Sequence, residues 1–198
     1  MISNKILFIN VLNLYRIIPL LVCYFSEKDE RNKIDMDIER WKKIKKIDSD
    51  NVQALLYFMI FMKEFRNLFL YRINKRKVWG RILKLFFIPL EGLYICTPKI
   101  GGGLFIQHGF STIIAAKEIG QNCWINQQVT IGYTDDNACP IIGDNVCVYC
   151  GAKILGDIIV GDRSIIGAGA VVIRNVNSDS LAVGVPAKIK KKYGNEVL

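Results

Sequence analysis

The chain has 198 residues, 51% of them apolar, which is enough to bury a sizeable core in one or two units and excludes a disordered tail protein. Its 27 Lys and Arg against 18 Asp and Glu leave a formal charge of +9, a field that favours phosphorylated ligands, other polyanions or anionic membrane surfaces without choosing among them. No nucleic-acid motif accompanies the charge, the six cysteines lack the spacing of a secreted framework, and no cleavable signal is evident. The expectation is a cytoplasmic chain with no nucleic-acid partner.

Residues 1–95 carry apolar positions at helical spacing, few glycines and no internal repeat, which predicts an α-helical N-terminal module. Helices are predicted over 3–25, 34–47, 51–73 and 79–93, the third announced by the capping residues of IDSDN ahead of ALLYFMIFM. The stretch KILFINVLNLYRIIPLLVCYF is long enough to raise a membrane question, yet two Asn, an Arg and a Pro interrupt it. It reads as a packing helix, with contact along the inner membrane surface as the alternative.

Residues 96–190 have a different texture. From Ile119 an aliphatic residue returns every six positions, at Ile125 and Ile131 and then, after an interruption, at Ile142, Val148, Ile154, Val160, Ile166 and Val172. No helix has that period. Six fits a coil of three short strands per turn, with the aliphatic side chain on the axis and corners built from residues that tolerate positive φ. Glycine follows the aliphatic residue at 120, 132, 143, 161 and 167, and small residues (Cys123, Ala152, Ser164, Ala170) stand four positions after it. Such an array needs a cap at each end, and the preceding helices and the segment 174–198 are the candidates. Residues 191–198 form a basic tail. The interruption GYTDDNACP must bulge from the coil, and long loops on a rigid scaffold are where function concentrates. Cys147 and Cys150 make a lone CxxC with no second pair and no neighbouring His, so no metal is expected.

These residues resemble the hexapeptide-repeat acyltransferases, and within them the serine acetyltransferases and their relatives that acetylate bacterial surface polysaccharides. The resemblance is carried by FRNLFLYRI, KIGGGLFIQHG, VTIGYT, GAKILGDIIVGDRSIIGAGAVV and AVGVPAKI. It implies a left-handed parallel β-helix behind a helical module, acetyl-CoA as co-substrate, and a homotrimer with active sites between adjacent prisms. His108, the one histidine of the chain, matches the family's general base on the acceptor hydroxyl. The pantetheine arm would lie along Tyr133, Thr134, Cys150, Gly151, Ala168 and Gly169, with Lys188 and Lys190 on the CoA phosphates.

The sequence also departs from the family. Where serine acetyltransferases have an aspartate before the catalytic histidine and an Arg-His-Pro triplet closing the loop, this chain has Gln107 and Ala138-Cys139-Pro140. A carboxylate for an ammonium and a guanidinium for a carboxylate are both lost, so a zwitterionic acceptor loses its partners. The family's orienting aspartate falls on Leu93, leaving Glu91 as the substitute candidate. The expectation is therefore an O-acetyltransferase acting on a sugar hydroxyl of a bacterial surface polysaccharide or its precursor, with Gln107, Asp135 and Asn137 as acceptor contacts. Serine O-acetyltransferase of cysteine biosynthesis is the alternative enzyme, and a non-catalytic β-helix the alternative class. Metal-dependent hydratases of the same fold need several histidines per site and are excluded.

Overall fold

The computed structural model describes residues 14–26, 30–73, 77–135 and 138–191, which divide into two units, 1–90 and 91–198. In the first, α1 (Leu14–Ser26), α2 (Arg31–Lys45), α3 (Asn51–Phe61), α4 (Lys63–Arg72) and α5 (Lys77–Phe86) surround a core of buried aromatic and aliphatic side chains. Asp50 caps α3 as IDSDN predicts, its carboxylate accepting from the N–H groups of Val52 at 2.9 Å and Gln53 at 3.0 Å. Trp41 of α2 meets Phe58 and Phe65 edge-on, with centroids 5.8 and 5.1 Å away. Beside them Arg72 donates to Asp37 at 2.8 and 3.2 Å, a charge pair with both side chains essentially out of solvent.

Two expected helices come out differently, and a third is only partly described. The single helix 51–73 is broken at Met62, which is extended (φ −114°, ψ 97°). The cause is Arg66, whose guanidinium donates to the carbonyls of Met59 at 2.6 Å and of Ile60, taking bonding groups at the end of α3. Its remaining arm reaches Ile88 O at 2.8 Å. The helix expected over 79–93 stops at Phe86, because the residue before Pro89 is driven out of helical geometry. Asn67 then pins the exit by exchanging two hydrogen bonds with the backbone of Leu90. Of the helix expected over 3–25, residues 3–13 lie outside the described residues, and the remainder forms α1 with Pro19 inside it.

The second unit is a parallel β-helix. Its strands are β1 (Leu93–Ile95), β2 (Phe105–Ile106), β3 (Thr112–Ile114), β4 (Glu118–Ile119), β5 (Trp124–Ile125), β6 (Thr130–Gly132) and β7 (Ile141–Ile142). There follow β8 (Cys147–Val148), β9 (Lys153–Leu155), β10 (Ile159–Val160), β11 (Ile165–Ile166), β12 (Val171–Val172), β13 (Ser180–Val183) and β14 (Lys188–Lys191). They form three faces: five strands ordered β1-β3-β6-β9-β12, three ordered β4-β7-β10, and six ordered β2-β5-β8-β11-β13-β14. Every pairing is parallel except the terminal β13–β14 hairpin, which closes the C-terminal end of the six-stranded face. Regular coils repeat every 18 residues, as in the pairing of Ile141 with Ile159, which is three hexads.

Each aliphatic marker from Ile119 to Val172 is buried on the axis, as are Cys123, Ala152, Ser164 and Ala170. Positive φ falls three positions after the marker, at Asn122, Gln128, Asn145, Gly151, Arg163 and Gly169. These are mostly types that tolerate the left-handed region at a corner. An additional coil precedes the expected repeat: Leu93–Ile95 pairs with β3, and Ile106 pairs with Ile125. The second unit accordingly starts at Glu91 and not after 95, because β1 belongs to the β-helix.

Candidate functional site

His108 stands on the edge where the six-stranded face turns into the five-stranded one. In the coils below, this corner takes six residues from marker to marker, as between Ile125 and Ile131. In the first coil, Ile106 to Ile114, paired with the same two residues, takes eight. The two extra residues build a tight turn in which Gly109 N–H donates to Gln107 O at 2.8 Å and His108, at its centre, has φ +63°. Gly109 and Ser111 are also left-handed, at +60° and +52°. A β-carbon-bearing residue held in this region is a local cost that persists where the surroundings enforce it, and such residues cluster at functional sites. The imidazole is exposed, with Gln107 Nε2 3.5 Å from its Nε2.

Along the same edge, successive coils place Gln127 and Gln128, then Cys150 and Gly151, then Ala168 and Gly169. Their backbones stack, Gly151 N–H donating to Gln127 O at 3.1 Å and Gly169 N–H to Cys150 O at 2.9 Å. Gly151 and Gly169 are the left-handed corner residues, and a β-carbon on Gly169 would meet no atom within 4 Å. The lower half of the edge is thus free of bulky side chains and open to a thin ligand lying against the main chain.

The interruption lies on the next edge, beyond the five-stranded face. Tyr133, Thr134 and Asp135 are exposed there, whereas Asp136 and Asn137 lie outside the described residues. Asp135 Oδ1 accepts the Ala138 N–H at 3.0 Å, so this carboxylate closes its own loop. A hydrogen bond to the Cys139 thiol, followed by that thiol's charge, raises the Tyr133 phenol above its ordinary value. One face of some six residues at about 3.3 Å each separates the loop from His108 in the same chain.

The expected site residues described in the structure therefore fall in four places. His108 and Gln107 share the first-coil corner, and Cys150, Gly151, Ala168 and Gly169 continue it. Tyr133, Thr134 and Asp135 occupy the neighbouring edge. Glu91 is not brought to His108: it is exposed before β1, no hydrogen bond joins the two, and Leu93 is buried. Lys188 and Lys190 are exposed on β14, and Lys188 lines a cavity of about 410 Å³ with Arg174, Ile173, Asn175 and Pro186. Arg174 belongs to no motif read above, and its only sequence signal is a cation two positions after the last marker, Val172.

Residues 139–174 match the family model described as bacterial transferase hexapeptide (six repeats). Over these residues the coils of the β-helix carry the hexapeptide repeats of that family model. More particularly, the relatives are serine acetyltransferases. The chain is 41% identical over 103 residues to that of Synechococcus elongatus, covering 50% of this chain and 42% of that one. It is 38% identical over 129 residues to that of Staphylococcus epidermidis, covering 63% and 61%. The chain thus spans about half the length of the curated relatives it matches. Among solved structures, Neisseria gonorrhoeae serine acetyltransferase in complex with serine aligns with a TM-score of 0.67 and 26% identity, over 86% of this chain and 73% of that one. A serine acetyltransferase in complex with CoA aligns with a TM-score of 0.64 and 27% identity, over 87% and 74%.

Proposed function

We infer that this chain is an acetyl-CoA-dependent O-acetyltransferase of the serine acetyltransferase type, with His108 as the base that takes the proton of the acceptor hydroxyl. The observation that carries the reading is the exposed, left-handed His108 at a corner enlarged by two residues, above an edge of small residues suited to a pantetheine arm. An alcohol is a poor nucleophile at neutral pH. An imidazole that accepts its proton as the oxygen attacks the thioester carbonyl contributes a factor of about 10² to 10⁴.

L-serine is the acceptor supported by the relatives, one of which is a structure with serine bound. The matches support it over the polysaccharide reading drawn from the loop. A sugar hydroxyl remains the second reading on one observation: Gln107 and Ala138-Cys139-Pro140 offer an amino acid neither a carboxylate nor a guanidinium. The site is completed by a second copy in a homotrimer, the loop of one chain facing His108 of the next. In support, one chain holds the two on different edges of the five-stranded face, and Tyr94, Phe110 and Ile113 on and beside that face are exposed. Lys188 and Arg174 supply positive charge for CoA phosphates.

Transfer of labelled acetyl from acetyl-CoA, with L-serine and a panel of sugars as acceptors, tests the reading. His108→Ala should lower kcat by 10² to 10⁴ while leaving the oligomer intact. A near-normal rate in that variant overturns the base assignment, and His108-dependent transfer to sugars alone replaces serine by the second reading. If millimolar acetyl-CoA leaves the melting temperature unchanged, the chain is a non-catalytic β-helix.

A further inference from the structure

Two packed helices of the helical unit each leave an apolar stripe uncovered. α1 and α5 pack side by side, burying Ile17, Leu20, Tyr24 and Leu83. On their outward sides stand Ile18 (60% exposed), Val22, Phe25 (59%), Val78 (67%) and Leu85 (79%), with Ile88 exposed just beyond the end of α5. Ile18, Val22 and Phe25 recur at four and three residues, which places them on one stripe of α1, away from its buried side. Arg81 and Lys84 flank Leu85 on α5 and are exposed, and neither helix contains an Asp or Glu.

We propose that this face of α1 and α5 docks on an anionic lipid bilayer, with the apolar stripes in the headgroup region and Arg81 and Lys84 on the lipid phosphates. The pattern is that of an interfacial helix pair: an apolar stripe, cations beside it, no acids. No helix among the described residues is long and apolar enough to cross a membrane, and the proposed mode is lying on the surface. Long basic side chains suit this placement because their stems cover apolar surface while the charge reaches the phosphate. A second copy is the poorer occupant, because pairing through this face sets cation against cation with no acid on either helix to answer them. The chain's charge of +9 acts in the same direction as the local cations, drawing the whole molecule to an anionic surface.

The test is cosedimentation of the full chain with phosphatidylglycerol–phosphatidylcholine vesicles and with phosphatidylcholine vesicles, at low and high salt. The variants are Phe25→Glu/Leu85→Glu, Arg81→Gln/Lys84→Gln, and Lys188→Gln/Lys190→Gln, each checked for its fold by circular dichroism. The wild type should bind the anionic vesicles at least tenfold better than the neutral ones, and the Glu pair should lose at least tenfold. The Arg81/Lys84 pair should bind more weakly with a shallower salt dependence, while the Lys188/Lys190 pair should bind like the wild type. Absence of wild-type binding, equal binding by the Glu pair, or loss confined to the Lys188/Lys190 pair overturns the proposal. So does a mass, measured by sedimentation equilibrium without lipid, that falls in the Glu pair while vesicle binding stays absent, which would assign the face to a second copy.

Discussion

Gly120 and Gly132 hold the same place in the repeat, each just after an inward aliphatic residue, yet the coil geometry predicts opposite outcomes when each becomes Ala. A β-carbon at 120 would lie 2.6 Å from the carbonyl carbon of Gly143 and 2.7 Å from Asp144 N, both backbone of the next coil. That coil is held close by Gly120 N–H to Ile142 O at 2.9 Å and Gln121 N–H to Asp144 Oδ1 at 2.7 Å. Making room stretches these bonds, so an overpacking cost of about 1–3 kcal/mol joins about 1 kcal/mol of weakened hydrogen bonding, for a total near 2–4 kcal/mol. At 132 a β-carbon meets nothing within 4 Å. Restricting the unfolded chain there leaves Gly132→Ala neutral or more stable by about 0.4–1 kcal/mol. With a urea slope of about 2 kcal/mol per molar, Gly120→Ala should lower the midpoint by roughly 1–2 M, and Gly132→Ala should leave it unchanged or raise it slightly. Equilibrium unfolding followed by circular dichroism measures both. Equal midpoints for the two variants would refute the claim that the glycine after the marker is dictated by coil approach.

In the helical unit, Asp37→Ala removes the nearer carboxylate from the buried Arg72 guanidinium, leaving Glu30 at 3.8 Å, and should cost about 3 kcal/mol, while Asp37→Leu/Arg72→Met should recover most of it; a double variant no better than the single one, measured by urea unfolding, counts against the pairing argument. Burial pushes the Cys123 thiol up from 9.0 to about 12, and burial with the Asp35 hydrogen bond pushes Tyr24 from 10.0 to about 12. A raised folded-state pKa contributes stability that is full below the unfolded value and lost as pH rises, so melting temperature should fall between pH 9 and 12. Cys123→Ala should flatten that fall, and parallel pH profiles for the two proteins would refute it. At pH 8 iodoacetamide should label the exposed Cys96 well before Cys123, as read by mass spectrometry of the digested chain.

The β-helix is legible wherever one physical rule acts on each hexad. An inward aliphatic, a small residue four positions on and a left-handed corner between them recur because each coil meets the same neighbours above and below. The break at Met62 is not legible, since no Gly or Pro marks it; it depends on Arg66 reaching carbonyls six and seven residues back. The helix end at Phe86 could have been read from Pro89, but the apolar run through Leu85, Phe86 and Phe87 conceals it.

The first coil escapes the periodic pattern for a reason that bears on function. Its markers Ile106 and Ile114 stand eight apart because the corner between them is enlarged, and the enlargement carries His108. The other enlargement, eleven residues from Ile131 to Ile142, carries Tyr133 to Pro140. A coil in register with its neighbours has its backbone groups committed to the sheets and its side chains committed to the axis or the faces. Only where the count exceeds six can a residue leave that arrangement without unpairing a strand. Both enlargements flank the five-stranded face, so the repeat itself marks the two edges that subunits must bring together if they share a site. On the proposed reading of His108 as the base, neither spacing nor fold supplies its orienting partner, since Leu93 is buried and Glu91 is exposed. A Glu91→Gln variant with unchanged kcat and pH profile would place that partner on the backbone or on a neighbouring chain of the proposed trimer, whereas a lowered kcat with a shifted profile would return it to Glu91 through rearrangement in that proposed assembly.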